Sequence, residues 1–142
     1  MGKIEVHFTV PGEPRAKARP RFSRKTGHTY TPDKTVEYEE LIRLRYLQAT
    51  DKVFPDDAEI NAVITAYFSI PKSASKKKKQ AMLEDKIRPT KKPDVDNIMK
   101  IILDSLQVGN TAFRDDAQVV WCVCEKFYDD VPRVEVSLYE RE

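Results

Sequence analysis

The sequence predicts an α+β domain, a mixed sheet of about four strands with two or three helices packed on it. Three observations predict it. Strict period-two hydrophobic alternation occurs near the start, in the middle and at the end of the chain. Helical-period stretches fall between those strands, giving the order β, α, β, a short α, α, β, β. No internal repeat and no long linker divides the 142 residues, a length that suits one domain with one core.

The elements follow in order. "KIEVHFTV" places Ile4, Val6, Phe8 and Val10 on one face and Lys3, Glu5, His7 and Thr9 on the other, which is a half-buried strand. "PGEPRAKARPRFSRKTGHTYTP" (residues 11–32) holds four prolines and two glycines, so it is a long loop. Thr31 as cap, Pro32 at the first helical position and Asp33 in the first turn predict a helix, with Tyr38, Leu41, Ile42 and Tyr46 on one side. That helix ends before "TDKVFPDD". "EINAVITAYFSI" alternates Ile60, Ala62, Ile64, Ala66, Phe68 and Ile70, while its other face (Val63, Thr65, Tyr67) is only moderately polar. This strand belongs in the middle of the sheet.

"SASKKKKQAMLEDK" predicts a short basic helix capped by Ser73 or Ser75, and "IRPTKKP" is held extended by its prolines. A helix from about Asn97 to Gln107 follows, capped by Asp96 and stopped by Gly109-Asn110. "AQVVWCVCEKFY" and "RVEVSLYE" are two strands joined through the turn "DDVP".

Composition excludes several classes. No apolar stretch approaches the roughly 18 residues of a membrane span, and the N-terminus alternates too strictly for a signal peptide, so cytoplasm is the expected compartment. Cys122 and Cys124, two apart in a strand, suit neither a disulfide nor, with only His7 and His28 besides, a zinc site; both are expected as reduced thiols.

Net charge is +2, but it is segregated. From Pro14 to Pro32 there are six bases (Arg15, Lys17, Arg19, Arg21, Arg24, Lys25) and no acid. From Pro71 to Pro93 nine Lys/Arg stand against Glu84 and Asp85, while the tail after Cys124 has six acids and three bases. Such segregation points to a polyanionic partner.

The acids around residues 94–116 carry the chemistry. Asp96 alone is explained as a helix cap, and Asp115-Asp116 alone as a turn. Neither explanation covers Asp94. If the chain after the helix returned beside the helix start, three carboxylates would repel one another unless a cation were present, and oxygen-only ligands suit Mg²⁺ or Mn²⁺. Lys100, four residues after Asp96, shares its helix face; it would stabilise charge on a scissile phosphate or pair with Asp104 at the surface. Spacing alone leaves both the cap-and-turn reading and the metal reading open.

"KKPDVDNIMKIILDSL" followed by "DDAQVV" resembles the RusA family of Holliday-junction resolvases. "PGEPRAKARPRF" and "YTPDKTVEYEE" resemble the family version that has a basic, proline-rich arm. The matched segments cover the N-terminal third and Lys91 to Val120, and the stretch 50–86 matches only in kind. The resemblance implies that Asp94, Asp96 and Asp116 hold Mg²⁺, with Mn²⁺ as a substitute. It also implies that Lys100 assists catalysis, that Asp115 is the adjacent family acid with a less direct role, and that Asp104 organises Lys100 or the helix. Family members are homodimers that cut two opposed strands of a four-way junction. The basic insertion at about 71–93 departs from the shorter members and leaves the substrate preference open.

In the arm, Phe22 and Tyr30 interleave with Arg15, Lys17, Arg19, Arg21, Arg24 and Lys25, which suits phosphate contact and base stacking at a branch point. Lys76, Lys77, Lys91 and Lys92 are expected to add phosphate contacts, and His28 is incidental. Both faces of "VVWCVC" are hydrophobic (Val120, Cys122, Cys124 and Val119, Trp121, Val123), so a partner chain is expected to cover or extend one side. The rival functions are a metal-dependent nuclease acting on other DNA structures and a branched-DNA-binding module without catalysis.

Overall fold

The computed structural model describes residues 3–17, 21–30 and 32–142, with the backbone alone for Arg21. Three helices pack with a four-stranded mixed sheet, and the domain is α+β as the sequence predicts. The main strands are β1 (Glu5–Pro11), β4 (Ile60–Ser69), β5 (Val119–Asp129) and β6 (Arg133–Glu140). A separate two-stranded ribbon joins β2 (Arg21–Phe22) to β3 (Thr29–Tyr30) inside the basic loop. The helices are α1 (Asp33–Ala49), α2 (Lys76–Leu83) and α3 (Val95–Gln107).

The sheet order is β1-β6-β4-β5, so β4 is central, as its two apolar-to-moderate faces indicate. β6 pairs antiparallel with both β1 and β4, and β5 pairs parallel with β4. The strands either side of the "DDVP" turn are therefore not partners. β4 lies between them, and the chain from β4 to β5 makes the crossover that a parallel pair requires, carrying α2 and α3.

One face of the sheet carries the core. Val6, Phe8 and Val10 of β1, Ala62, Ile64, Ala66 and Phe68 of β4, and Val134, Val136 and Leu138 of β6 are buried against Tyr38, Ile42 and Tyr46 of α1 and Ile98, Ile101, Ile102 and Leu106 of α3. Each fully buried Ile or Leu contributes about 1.5–3 kcal/mol relative to exposure, so these period-two and period-3.6 stripes hold α3 in place. No helix of the described residues is long and apolar enough to cross a membrane.

Two helix starts differ from expectation. α1 begins at Asp33 with Pro32 in the capping position rather than the first turn, and Thr31 lies outside the described residues. α3 begins at Val95, and its cap is Asp94 rather than Asp96: the Asp94 carboxylate accepts the Asn97 amide at 2.9 Å, and its carbonyl accepts Ile98 N at 3.1 Å. Either aspartate can cap, and the helix takes the longer option, leaving Asp96 in the first turn where a negative charge is favourable. α2 is capped by Ser75.

β5 also departs from the alternation read in its sequence. The pairing steps from Ile60 with Val119 to Asn61 with Trp121, which leaves Val120 as an extra, bulged residue. The bulge changes the phase. Val119, Cys122 and Cys124 pack towards the core, while Val120 and Trp121 are 52% and 47% exposed. Both cysteines are free, and Cys122 Sγ meets Met99 Sδ at 3.5 Å.

Candidate active site

α3 and the turn before β5 build the acidic surface. Asp96, Lys100 and Asp104 follow one another at intervals of four and so share one face of α3. Ile98, Ile101, Ile102, Ser105 and Leu106 fix that face outward by occupying the core side. Asp96 and Lys100 are exposed and Asp104 is half-buried.

Beyond α3 the chain turns through Val108–Asn110, where Gly109 adopts φ 63°, a left-handed geometry that suits glycine. It then enters a short 3₁₀ turn at Asp116–Gln118. Asp115 caps this turn: its carboxylate accepts Ala117 N at 2.9 Å, while Gln118 Oε1 accepts Asp115 N at 3.2 Å. Gln118 Nε2 in turn donates to Pro55 O at 2.8 Å, so the acidic turn is tied to the loop ahead of β4. Asp116 N donates to Gln107 Oε1 at 2.8 Å, fastening the turn to the last turn of α3.

Asp116 is the electrostatically strained member. Burial first, then the charges of Asp104 and Asp115 and contacts with both, push its carboxyl above the usual range. The structure therefore gathers Asp116 with Asp104 and Asp115. Asp94 and Asp96 stand at the opposite end of the same helix; eight residues at 1.5 Å each put about 12 Å of axis between Asp96 and Asp104. Among the described residues no three His, Cys, Asp or Glu side chains are gathered closely enough to hold a metal ion. Asp94, Asp96, Asp104, Asp115 and Asp116 offer only oxygen donors, the chemistry that Mg²⁺ or Mn²⁺ takes.

Asp104 also has a cationic partner. Lys17 Nζ donates to Asp104 Oδ2 at 3.1 Å and lies 3.6 Å from Glu39 Oε2. Burial pulls the Lys17 ammonium down, but the hydrogen bond and charge of Asp104, then those of Glu39, outweigh it, and the balance is upward. Lys17, expected as a phosphate contact, is engaged here with two carboxylates of the protein itself. No pattern in the sequence pairs residues 87 apart.

The remaining expected DNA contacts fall into two groups. Arg24 and Lys25 are exposed on the turn of the β2–β3 ribbon, which Ser23 N closes onto His28 O at 2.8 Å. Phe22 and Tyr30 flank it, 63% and 50% exposed. Arg15 is exposed, Arg19 lies outside the described residues, and of Arg21 only the backbone is described. Lys76, Lys77, Lys91 and Lys92 are all exposed, the first two on α2 and the others just before Asp94.

The family model described as Endodeoxyribonuclease RusA matches residues 11–139. The chain belongs to the RusA endodeoxyribonuclease family. The matched span takes in the basic arm, α2 and the basic insertion, and the acidic face of α3. A relative from Bacillus subtilis (strain 168), Uncharacterized protein YqaN, is 37% identical over 139 residues, covering 95% of this chain and 96% of that one. RusA membership makes the chain, by family, an endodeoxyribonuclease.

Proposed function

We propose that this RusA-family protein is a Mg²⁺-dependent endonuclease that resolves four-way DNA junctions by paired phosphodiester hydrolysis. The observation that carries the reading is the run of Asp96, Lys100 and Asp104 along one face of α3, with Asp116 brought against Asp104, in a chain whose Arg24, Lys25, Lys91 and Lys92 are exposed.

Mg²⁺, or Mn²⁺ in its place, would draw on Asp94, Asp96 and Asp116 with Asp115 beside them, carboxylates that stand apart along α3 and the turn after it among the described residues, and when bound it supplies an activated water and neutralises charge on the phosphate. The support for it is the donor chemistry rather than a formed cage. Lys100 lies between Asp96 and Asp104 on the same face of the helix, where its ammonium would stabilise negative charge developing on a scissile phosphate. Asp115 and Gln118 hold the turn that carries Asp116. Arg24 and Lys25, with Arg15, Arg19 and Arg21, meet backbone phosphates, and Phe22 and Tyr30 stack on unpaired bases at the branch point. Lys76, Lys77, Lys91 and Lys92 extend the phosphate track along a DNA arm.

Two opposed strands need two acidic faces, so the working form is a homodimer. Its contact is the sheet face that α1 and α3 leave uncovered, around Trp121. The decisive assay compares a labelled four-way junction with linear duplex, in Mg²⁺ and in Ca²⁺. Paired cuts in the junction only, and only in Mg²⁺, are expected. Equal cutting of duplex would favour a nuclease for other DNA structures, and tight binding with no cutting in either ion would favour a branch-binding module.

A further inference from the structure

The composition of the basic arm assigns Lys17 to DNA, and the geometry assigns it elsewhere. Its side chain is 32% exposed, and its partners Glu39 and Asp104 are 14% and 26% exposed, so all three have given up most of their water. A phosphate reaching Lys17 would have to displace two carboxylates already seated on it. The residues just before Lys17 are fastened as well. Gly12 N donates to Pro132 O at 3.2 Å, Ser69 N donates to Glu13 Oε2 at 3.5 Å, and Pro14 is buried. The arm therefore leaves the body at Lys17, on the side of α3 that carries Asp104 and faces Asp116.

We propose that Lys17 is a positioning residue that fastens the root of the basic arm to the acidic face of α3. Bridging Glu39 of α1 and Asp104 of α3, it sets where the DNA-contacting ribbon stands relative to the reacting end of that helix. Its ammonium also offsets one of the negative charges beside Asp116. This rests on the reading of α3 as the reactive helix.

The two roles for Lys17 predict opposite results. In Lys17→Met, a positioning role leaves the salt dependence of four-way-junction binding in Ca²⁺ almost unchanged, within about 0.3 units of slope, whereas a lost phosphate contact removes about one unit. The thermal midpoint should fall by about 3 °C, and Asp104→Asn should add little to that fall in the double variant. Single-turnover cleavage at saturating enzyme should slow about tenfold through misplacement, with Lys17→Arg recovering most of the rate. Glu39→Gln tests the same bridge if Lys17→Met folds poorly. As a positioning contact it lowers the midpoint and the rate, while a phosphate-binding Lys17, released from Glu39, would bind the junction more tightly. A slope lowered by one unit with an unchanged midpoint, or tighter binding by Glu39→Gln, overturns the proposal. If the unaltered protein cuts no junction, the nuclease reading fails, and the slope and midpoint still decide the role of Lys17.

Discussion

Asp94 is expected to do two jobs that substitution can separate. Its carboxylate accepts the Asn97 amide at 2.9 Å and caps α3, and it is one of the acids proposed to hold the metal. Asparagine caps a helix about as well as aspartate, whereas alanine at such a position costs about 1 kcal/mol. For a chain of this length that is a fall of about 3 °C in thermal midpoint. Asp94→Asn loses only the small favourable interaction of a negative charge with the helix N-terminus, about 0.3–1 kcal/mol, a fall of about 1–3 °C, whereas Asp94→Ala loses that interaction and the cap together. An amide, however, is a poor ligand for Mg²⁺. Cleavage should therefore vanish in both variants while only Asp94→Ala shows the larger thermal loss. The assays are calorimetry in chelator and single-turnover cleavage of a labelled four-way junction in Mg²⁺. Asp94→Asn turning over within about threefold of the parent would reduce Asp94 to a cap, since loss of an essential ligand costs far more than the roughly 0.7 kcal/mol that threefold represents.

Asp96→Asn and Asp116→Asn are likewise expected to abolish cleavage while retaining junction binding in Ca²⁺; near-normal turnover by two of the three asparagine variants would refute the three-carboxylate proposal. Asp116→Asn should also stabilise the metal-free fold. Its carboxyl is pushed up by burial, Asp104 and Asp115, so the folded state resists its ionisation; the penalty is absent below the unfolded value and grows as pH rises through the folded one. The gain in thermal midpoint should thus be larger at neutral pH than at the acid end of the carboxylate range, and a gain independent of pH would contradict the crowding. Arg19→Ala with Arg21→Ala should lower the salt slope of junction binding by about one unit per lost phosphate contact, and an unchanged slope would make the arm a bystander. Trp121→Glu should give folded monomers by sedimentation at micromolar concentration; an undisturbed dimer would place the interface elsewhere, and a parent protein monomeric with and without junction would remove the dimer altogether.

What the sequence made legible was periodic or local. The alternation of β1, β4 and β6 and the stripe of α3 are properties of short windows, and the helix ends at Gly109 follow from backbone chemistry within one turn. Partner choice is different. Nothing in "VVWCVC" or "RVEVSLYE" says that β4 separates them, because period two reports burial and not neighbours. The bulge at Val120 is equally silent, yet it turns Trp121 outward and Cys122 inward. At the site, two aspartates two apart are both competent caps, so the choice of Asp94 depends on whether Val95 joins the helix. The closeness of Asp104 to Asp116, and of Lys17 to Asp104, depends on how α1, α3 and the acidic turn pack, which no local motif encodes.

The uncovered face of the sheet is not uniform, and its two ends bear differently on assembly. At one end Arg88 sits 4.1 Å over the Phe127 ring, Phe127 stacks on Tyr67 at 5.7 Å between centroids, and Arg133 sits 3.9 Å over Tyr67. Asp85 and Glu125 hold Arg88, and Asp129 and Glu135 hold Arg133. That end is therefore covered by the chain's own cations, which also anchor the basic insertion to the edge strand through Arg88. The other end, where Trp121 stands opposite Asn61 and Asn61 opposite Tyr139, is covered more thinly: Arg141 Nη1 donates to Asn61 Oδ1 at 3.2 Å and His7 meets the Tyr139 ring edge-on at 5.5 Å, and among the described residues no cation sits over Trp121. A partner seated there meets β5 close to its first residues, directly after Asp116–Gln118. The proposed dimer would then hold each Asp116 near the two-fold axis, so that the spacing of the two cuts is set by short, rigid strand segments rather than by the mobile reach of the basic side chains.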